Sequence, residues 1–286
     1  NLVLSSQLGG SMGRYRIMII EDADRMAERS SNVLLKALEE PPAGTVWILC
    51  APSEADMLPT IRSRVRRITL KTPAVEEVAQ LLVERDSIDY ALALVVAAEA
   101  QSHIGMARRL ATSADARGRR KDTLVAALAI DNVSTAIFTA ERWIELARRD
   151  ADALTAERDS AEREELLRVL GVEDTSKLPP YARADVKALE ETQKRRATRS
   201  LRDGLDRILV DLLSLYRDIL MFQLEAEVPL VNESLKPQLV SIAQRTSAQQ
   251  TLEKLNQIEL ARTRIAANVK DLIVLEALAV NLRTKP

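Results

Sequence analysis

The chain is 286 residues long, with a formal net charge of −1, 47% hydrophobic residues and only 3% aromatic ones. That balance of charge excludes a globally basic nucleic-acid binder, so any DNA contact must be local; a single cysteine (Cys50) and a single histidine (His103) exclude a disulfide framework and a credible zinc site. A composition dominated by Ala and Leu favours helix, and the length allows about two domains at ~100–200 residues each.

Residues 1–13 hold a short apolar run, and then Gly9, Gly10 and Gly13 mark a loop. Ile17, Met18, Ile19 and Ile20 follow without strict alternation, the pattern of a strand buried on both faces of a parallel sheet. Glu21 and Asp22 fall where that strand leaves the sheet, the edge at which open α/β sheets bind ligands. Ser30, Ser31 and Asn32 are candidate caps for a helix whose stripe is Val33, Leu34, Ala37 and Leu38 and which Pro41–Pro42 stop. Residues 46–50 read as a second buried strand. Strand, helix, strand favours a parallel pair with a right-handed crossover.

Residues 67–70 (RITL) read as a last short strand, and Pro73 marks a boundary. Helical periods then begin: Val75, Val78, Leu81 and Leu82 on one helix, Tyr90 to Ala97 on a second, residues 106–110 on a third. His103 is expected as a capping or surface residue. Residues 115–123 (DARGRRKDT) read as a charged hinge, and from Leu124 on the chain is expected to be wholly helical, with helices over 124–130 and 133–146. Residues 147–165 are dense in charge and read as a solvated helix, 171–180 as a loop, and 181–226 as one long helix or two abutting ones. Lys194, Arg195, Arg196, Arg199 and Arg202 could meet DNA phosphates or an acidic partner; a solvated face balanced by Glu190, Glu191 and Asp203 is the expectation. Leucine-rich helices over 205–222 and 265–282 need burial, within the domain or between chains. No secretory signal is visible. The most apolar stretch, 205–222, is interrupted by Asp206, Arg207, Asp211, Arg217 and Asp218, so a cytoplasmic chain with no membrane contact is expected.

Three ordered blocks carry a resemblance. They are the acidic strand end at 16–22, NVLLKALEEPP at 32–42 and LPTIRSR at 58–64. Together they resemble the clamp-loader branch of the AAA+ family, whose members carry NALLKTLEEPP and then a Ser-Arg-Cys motif. The likeness is sharp over about 14–115. It implies a mostly helical α/β chain. Residues 1–72 would be the C-terminal part of an AAA+ base domain with parallel strands, 73–115 a helical lid, and 116–286 an all-α collar with a charged insertion at about 147–200.

The resemblance also assigns roles. Arg64 would be an arginine finger, reaching a neighbouring subunit's γ-phosphate; a surface arginine among Arg62, Arg66 and Arg67 is the plainer alternative. Val65 stands where the family has Cys and is read as a packing residue. Glu21 and Asp22 are Walker-B-like acids, but in the reverse of the usual order, which argues against good catalysis; a loop-capping role is the alternative. Ala51–Pro52 replace the polar residue that senses γ-phosphate. Arg108, in Gly105-Met-Ala-Arg108, is sensor-2-like, with an ordinary ion pair as the alternative. No GxxxxGK[ST] phosphate loop occurs, so either the chain is an N-terminally truncated piece or it never had that loop.

The expected function is that of a non-hydrolysing clamp-loader subunit within the DNA-directed DNA polymerase III holoenzyme. It would bind no cofactor or metal productively, with ATP and Mg²⁺ in the neighbouring subunit. Its partners would be the tau/gamma and delta subunits, and through them the sliding clamp and primed DNA. Two alternatives stand beside it: an active AAA+ ATPase whose phosphate loop lies upstream, and a helical scaffold that keeps an AAA+ remnant.

Overall fold

The structure, a computed structural model, describes residues 15–21, 23–26, 28–51, 53, 55, 57–172 and 179–283. The chain divides into two compact units, Asn1–Lys71 and Thr72–Pro286. It is mostly helical with a small parallel sheet.

In the first unit, β1 (Arg16–Ile20) and β2 (Thr45–Leu49) pair in parallel, in register from Arg16↔Thr45 to Ile20↔Leu49. Between them runs α1 (Glu28–Glu39), and α2 (Pro59–Arg62) follows β2. Gly44, at φ +76°, makes the turn into β2 in a conformation that glycine adopts without penalty. Ala23, Met57 and Ile61 form a small core, with Ile20, Leu35, Leu38 and Leu49 packed on it.

Among the described residues the strands are covered on one face only. Ile17 and Ile19 are 59% and 60% exposed, and Val46 and Ile48 are also exposed, whereas the alternate residues are partly buried. The continuous apolar run had suggested burial on both sides. Successive side chains point to opposite faces, and among the described residues helix packs against one of them. Two further expectations fail here. Helix α1 starts at Glu28, so Ser30, Ser31 and Asn32 lie inside it and do not cap it; serine and asparagine lose only ~0.5 kcal/mol each to alanine in a helix interior, which a packed stripe containing Leu34 and Ala37 offsets. Residues 67–70 form no strand, and Ile68 and Leu70 are strongly exposed. Their β-branched and apolar character fits a pleated surface, but a strand also needs a neighbour to pair with.

In the second unit, α3 (Val75–Asp86), α4 (Tyr90–Glu99) and α5 (Ile104–Thr112) enclose Val78, Leu82, Ala93, Val96 and Leu110. Each start is capped by a side chain: Glu77 accepts from the Ala74 N–H, Asp89 from Ala91 and Leu92, and His103 Nδ1 from Met106. The helices α6 (Ala114–Leu128), α7 (Val133–Val169), α8 (Pro180–Gln223), α9 (Lys236–Arg245), α10 (Ala248–Ala266) and α11 (Asp271–Leu282) follow. Their core holds Trp143, Leu205, Leu209, Leu212, Leu215, Ile219, Ile258 and Leu275.

Residues 115–123, expected as a hinge, are the body of α6. Arg120 explains the difference. It is buried, donates from Nε to Asp211 at 2.9 Å and from Nη2 to Asn232 Oδ1 at 2.7 Å, and lies 3.5 Å from Glu99. The charge that suggested solvent is drawn inside by partners distant in sequence.

The charge-dense stretch is likewise no separate element. It belongs to α7, a single helix of 37 residues beside the 44 of α8. At ~1.5 Å per residue α8 runs about 66 Å. Arg196 pairs with Asp159 and Glu162, and Arg163 with Glu190 at 2.8 Å, so part of the charge on α8 is balanced across the hairpin. Gly204 lets the two backbones close, since a Cβ there would lie 3.2 Å from the Ala147 carbonyl.

Two stability predictions follow from the buried charges. Arg120→Ala is expected to lower the unfolding free energy by about 3 kcal/mol in urea denaturation, because it leaves Asp211 and Asn232 buried without their partner. Lys254 is buried, with its ammonium 5.4 Å from the Tyr216 ring centre, and burial lowers its pKa to about 8. The unfolded chain therefore keeps a proton that the folded one releases. Stability should rise with pH from about 8 toward the ordinary lysine range near 10.5. In Lys254→Met, thermal melting across that range should lose this slope, and stability at pH 7 should increase.

Candidate functional site

The carboxyl end of the β1–β2 pair is fixed by backbone. Cys50 N–H donates to the Ile20 carbonyl at 2.8 Å, and Ala23 N–H donates to the Cys50 carbonyl at 2.9 Å. Glu21 is thereby placed, exposed, at the strand end. Asp22 and Pro52 lie outside the described residues. Ala51 is exposed and has no polar side-chain group; Ser53 Oγ accepts from the Ala55 N–H at 3.1 Å, closing a local turn.

Arg64 sits just beyond α2, whose start is set by Pro59 and whose anchor is the buried Ile61. Its guanidinium is turned back onto the end of α1. Nε donates to Glu39 Oε1 at 2.6 Å, Nη2 lies 2.5 Å from the same oxygen, and Nη1 donates to the Thr60 carbonyl at 2.8 Å and to Ser63 Oγ at 3.1 Å. The Arg64 side chain remains 35% exposed and that of Glu39 48%. Glu39 is the last residue of α1, where a carboxylate faces the negative end of the helix dipole. Arg64 neutralises both. Glu39 is the residue that sequence reasoning missed. It stands inside the ALEEPP block, but the spacing of 25 residues to Arg64 gives no signal of contact. No hydrogen bond or ion pair joins Glu21 to Arg64 among the described residues.

Arg108 belongs to the second unit. On α5 its Nε donates to Asp86 Oδ1 at 2.8 Å, at the end of α3, and its side chain is half exposed. The other Asp86 oxygen is buried with no hydrogen-bond partner among the described residues. His103 caps α5, as expected. Among the described residues no group of three or more His, Cys, Asp or Glu is placed to hold a metal ion, and no helix is long and apolar enough to cross a membrane.

Comparison with known proteins bears on the first unit. Residues 2–74 match the family model described as DNA polymerase III, delta subunit. These residues are thus similar to DNA polymerase III subunits over about the first quarter of the chain. Among the relatives, the delta-prime subunit of DNA polymerase III from Haemophilus influenzae is 34% identical over 74 residues, 26% of this chain and 23% of that protein. The tau subunit from Salmonella typhimurium is 32% identical over 82 residues, 29% of this chain and 13% of that protein. The matched stretch thus spans less than a quarter of either relative. The Bacillus subtilis DNA clamp loader delta protein aligns with 98% of this chain and 81% of its own, at 14% identity and a TM-score of 0.26, too low to support an argument on fold.

Glu39→Gln should cost less than ~1 kcal/mol in thermal or urea unfolding, because so exposed a pair is screened by solvent. A loss several times larger would mean that the pair holds the first unit together.

Proposed function

We propose that the chain is a clamp-loader subunit that hydrolyses no ATP itself and lends Arg64 in trans to the nucleotide of a neighbouring ATPase subunit. The observation that carries this reading is the state of Arg64. It is a permanently charged, partly exposed guanidinium in the segment that matches clamp-loader relatives, held by one side-chain carboxylate. A finger must be presented, yet free to leave its resting partner. A half-exposed carboxylate is a weak holder beside the dense negative charge of a triphosphate–metal centre, so transfer from Glu39 to a neighbour's γ-phosphate is downhill.

These residues do not fit a productive Mg–ATP site of their own. Glu21 and Asp22 stand in reversed order, and Ala51 offers no hydrogen bond where the sensor belongs. Arg108 is engaged by Asp86, which suits an ion pair within the lid better than a nucleotide contact. In this reading α3–α5 are the lid and α6–α11 the collar. The partners are the tau/gamma and delta subunits, with the sliding clamp and primed DNA reached through the complex. The cytoplasm is where it would act.

A second reading, an active ATPase subunit, is favoured by the similarity to tau over 82 residues. Steady-state ATP turnover by the isolated full-length protein separates the two; robust turnover overturns the first.

In a complex reconstituted with its ATPase and delta subunits, Arg64→Ala should leave the melting temperature of the chain within a few degrees of wild type. It should lower turnover at the site served at least tenfold, given the ~10³–10⁵ contributed by fingers in GTPases. Unchanged turnover would reduce Arg64 to a surface charge.

A further inference from the structure

Where α5, α6, α7 and α8 meet, within the second unit and outside the matched residues 2–74, a cavity of about 30 Å³ is lined by Arg109, Arg119, Arg120, Asp150, Arg207 and Asp211, among others. We propose that this cavity binds a phosphate group, with Arg207, Arg109 and Arg119 as its cationic ligands. The case rests on how the charges are shared, and it is independent of the finger reading.

Arg120 is fully served. Asp211 and Glu99 flank it, and Asn232 Oδ1 accepts from it at 2.7 Å. Asp150 is the remaining carboxylate of the lining, and it is already shared: Arg109 approaches it at 2.9 Å and Arg119 closer still. Arg207 is left over. Among the described residues it makes no hydrogen bond or ion pair, although it is only partly exposed. Three guanidinium groups therefore converge on one carboxylate, and one of them has all five donors unused by protein.

Such a group pays for lost hydration without a protein acceptor in return. Its pKa reflects that: burial lowers it first and the like charge of Arg109 lowers it further, while Asp211, Asp150 and Asp203 act in the opposite sense from a distance. An anion between Arg207 and Arg109 would relieve both effects at once.

The space selects the anion. A cavity needs about 10–15 Å³ per water-sized occupant by this measure, so 30 Å³ holds two or three such positions. That suits a tetrahedral oxyanion and excludes a nucleobase or a sugar. Planar, forked guanidinium groups from different helices match the several oxygens of a phosphate. The cavity is not closed off from solvent, so the phosphate could be free or could be carried on a nucleic-acid strand. The chemistry is the same for both sources, and experiment distinguishes them.

The full chain is melted against inorganic phosphate, and against sodium chloride at matched ionic strength. Phosphate should raise the melting temperature saturably, with half-effect in the millimolar range, and chloride should not. Arg207→Gln and Arg207→Met remove the cation without breaking any ion pair. Both should fold, with a melting temperature in plain buffer unchanged or raised, and both should weaken the phosphate response at least tenfold. A short DNA duplex, followed by fluorescence anisotropy, forms the second arm. If duplex affinity also falls at least tenfold in both variants, the phosphate belongs to nucleic acid; if only the inorganic phosphate response falls, the site takes the free anion. A phosphate response and a duplex affinity that are both the same in wild type and variants, or a chloride effect equal to that of phosphate, overturns the proposal.

Discussion

Arg120 is a cation taken out of water at the point where four segments meet. It lies on α6; Glu99 comes from the end of α4, Asp211 from α8, and Asn232 from the stretch before the turn Glu233–Leu235. Asn232 passes the constraint on. Its amide donates to Ser214 Oγ at 3.1 Å and to Asp218 Oδ2 at 3.0 Å, and the fully buried Asp218 also accepts from the Val231 and Asn232 backbone N–H groups. One chain of polar contacts thus runs from the three-helix group to the C-terminal third of the longest helix. Burial raises the Asp211 pKa in spite of Arg120, so the ion pair offsets only part of what desolvation costs. Apolar packing by Leu205, Leu212 and Ile219 holds the bundle together; the network fixes which register that packing takes.

The same physics explains why the first unit behaves differently. Arg64 and Glu39 are as well matched in geometry as Arg120 and Asp211, but both side chains stay wet. Solvent screening makes such a pair weak and reversible. A buried pair is costly to break and so defines structure, whereas an exposed pair at the end of a helix can exchange partners. The two arginines differ in depth and not in chemistry, and depth decides that one is architecture while the other stays within reach of solvent.

Depth is also what the sequence conceals. The strand–helix–strand unit was legible because apolar runs, the Pro41–Pro42 stop and the two strand lengths are local signals. The three helical periods after Pro73, the capping role of His103 and the apolar half of α8 were legible for the same reason. The exposed face of Ile17, Ile19, Val46 and Ile48 was not, since coverage of a sheet depends on what packs against it. Residues 115–123 were misjudged because the partners of Arg120 lie in α4 and 91 residues downstream. The candidate site was legible as far as its motif reaches: Arg64 and Glu21 are placed at exposed ends of their elements, but the hold of Glu39 on Arg64 is a contact between residues that no period connects.

Charge balance along the α7–α8 hairpin follows from how closely the helices approach. Toward the far end, acidic residues of α7 stand opposite basic residues of α8, and Arg196 finds Asp159 and Glu162 while Gln193 donates to the Asp159 carbonyl at 2.8 Å. Nearer the core, Gly204 brings the backbone of α8 against Ala147, and the room for paired long side chains is gone. The next cation along, Arg207, falls just past this closure. Asp150 is the α7 carboxylate that lines the space beside it, and that residue is held by Arg109 of α5 and Arg119 of α6. The junction of three helices with the hairpin therefore uses up the acid that a simple two-helix ladder would have left for Arg207. An unserved guanidinium in a small cavity is a consequence of close packing around a glycine, and it makes that corner the place in the second unit where an external anion completes the charge pattern.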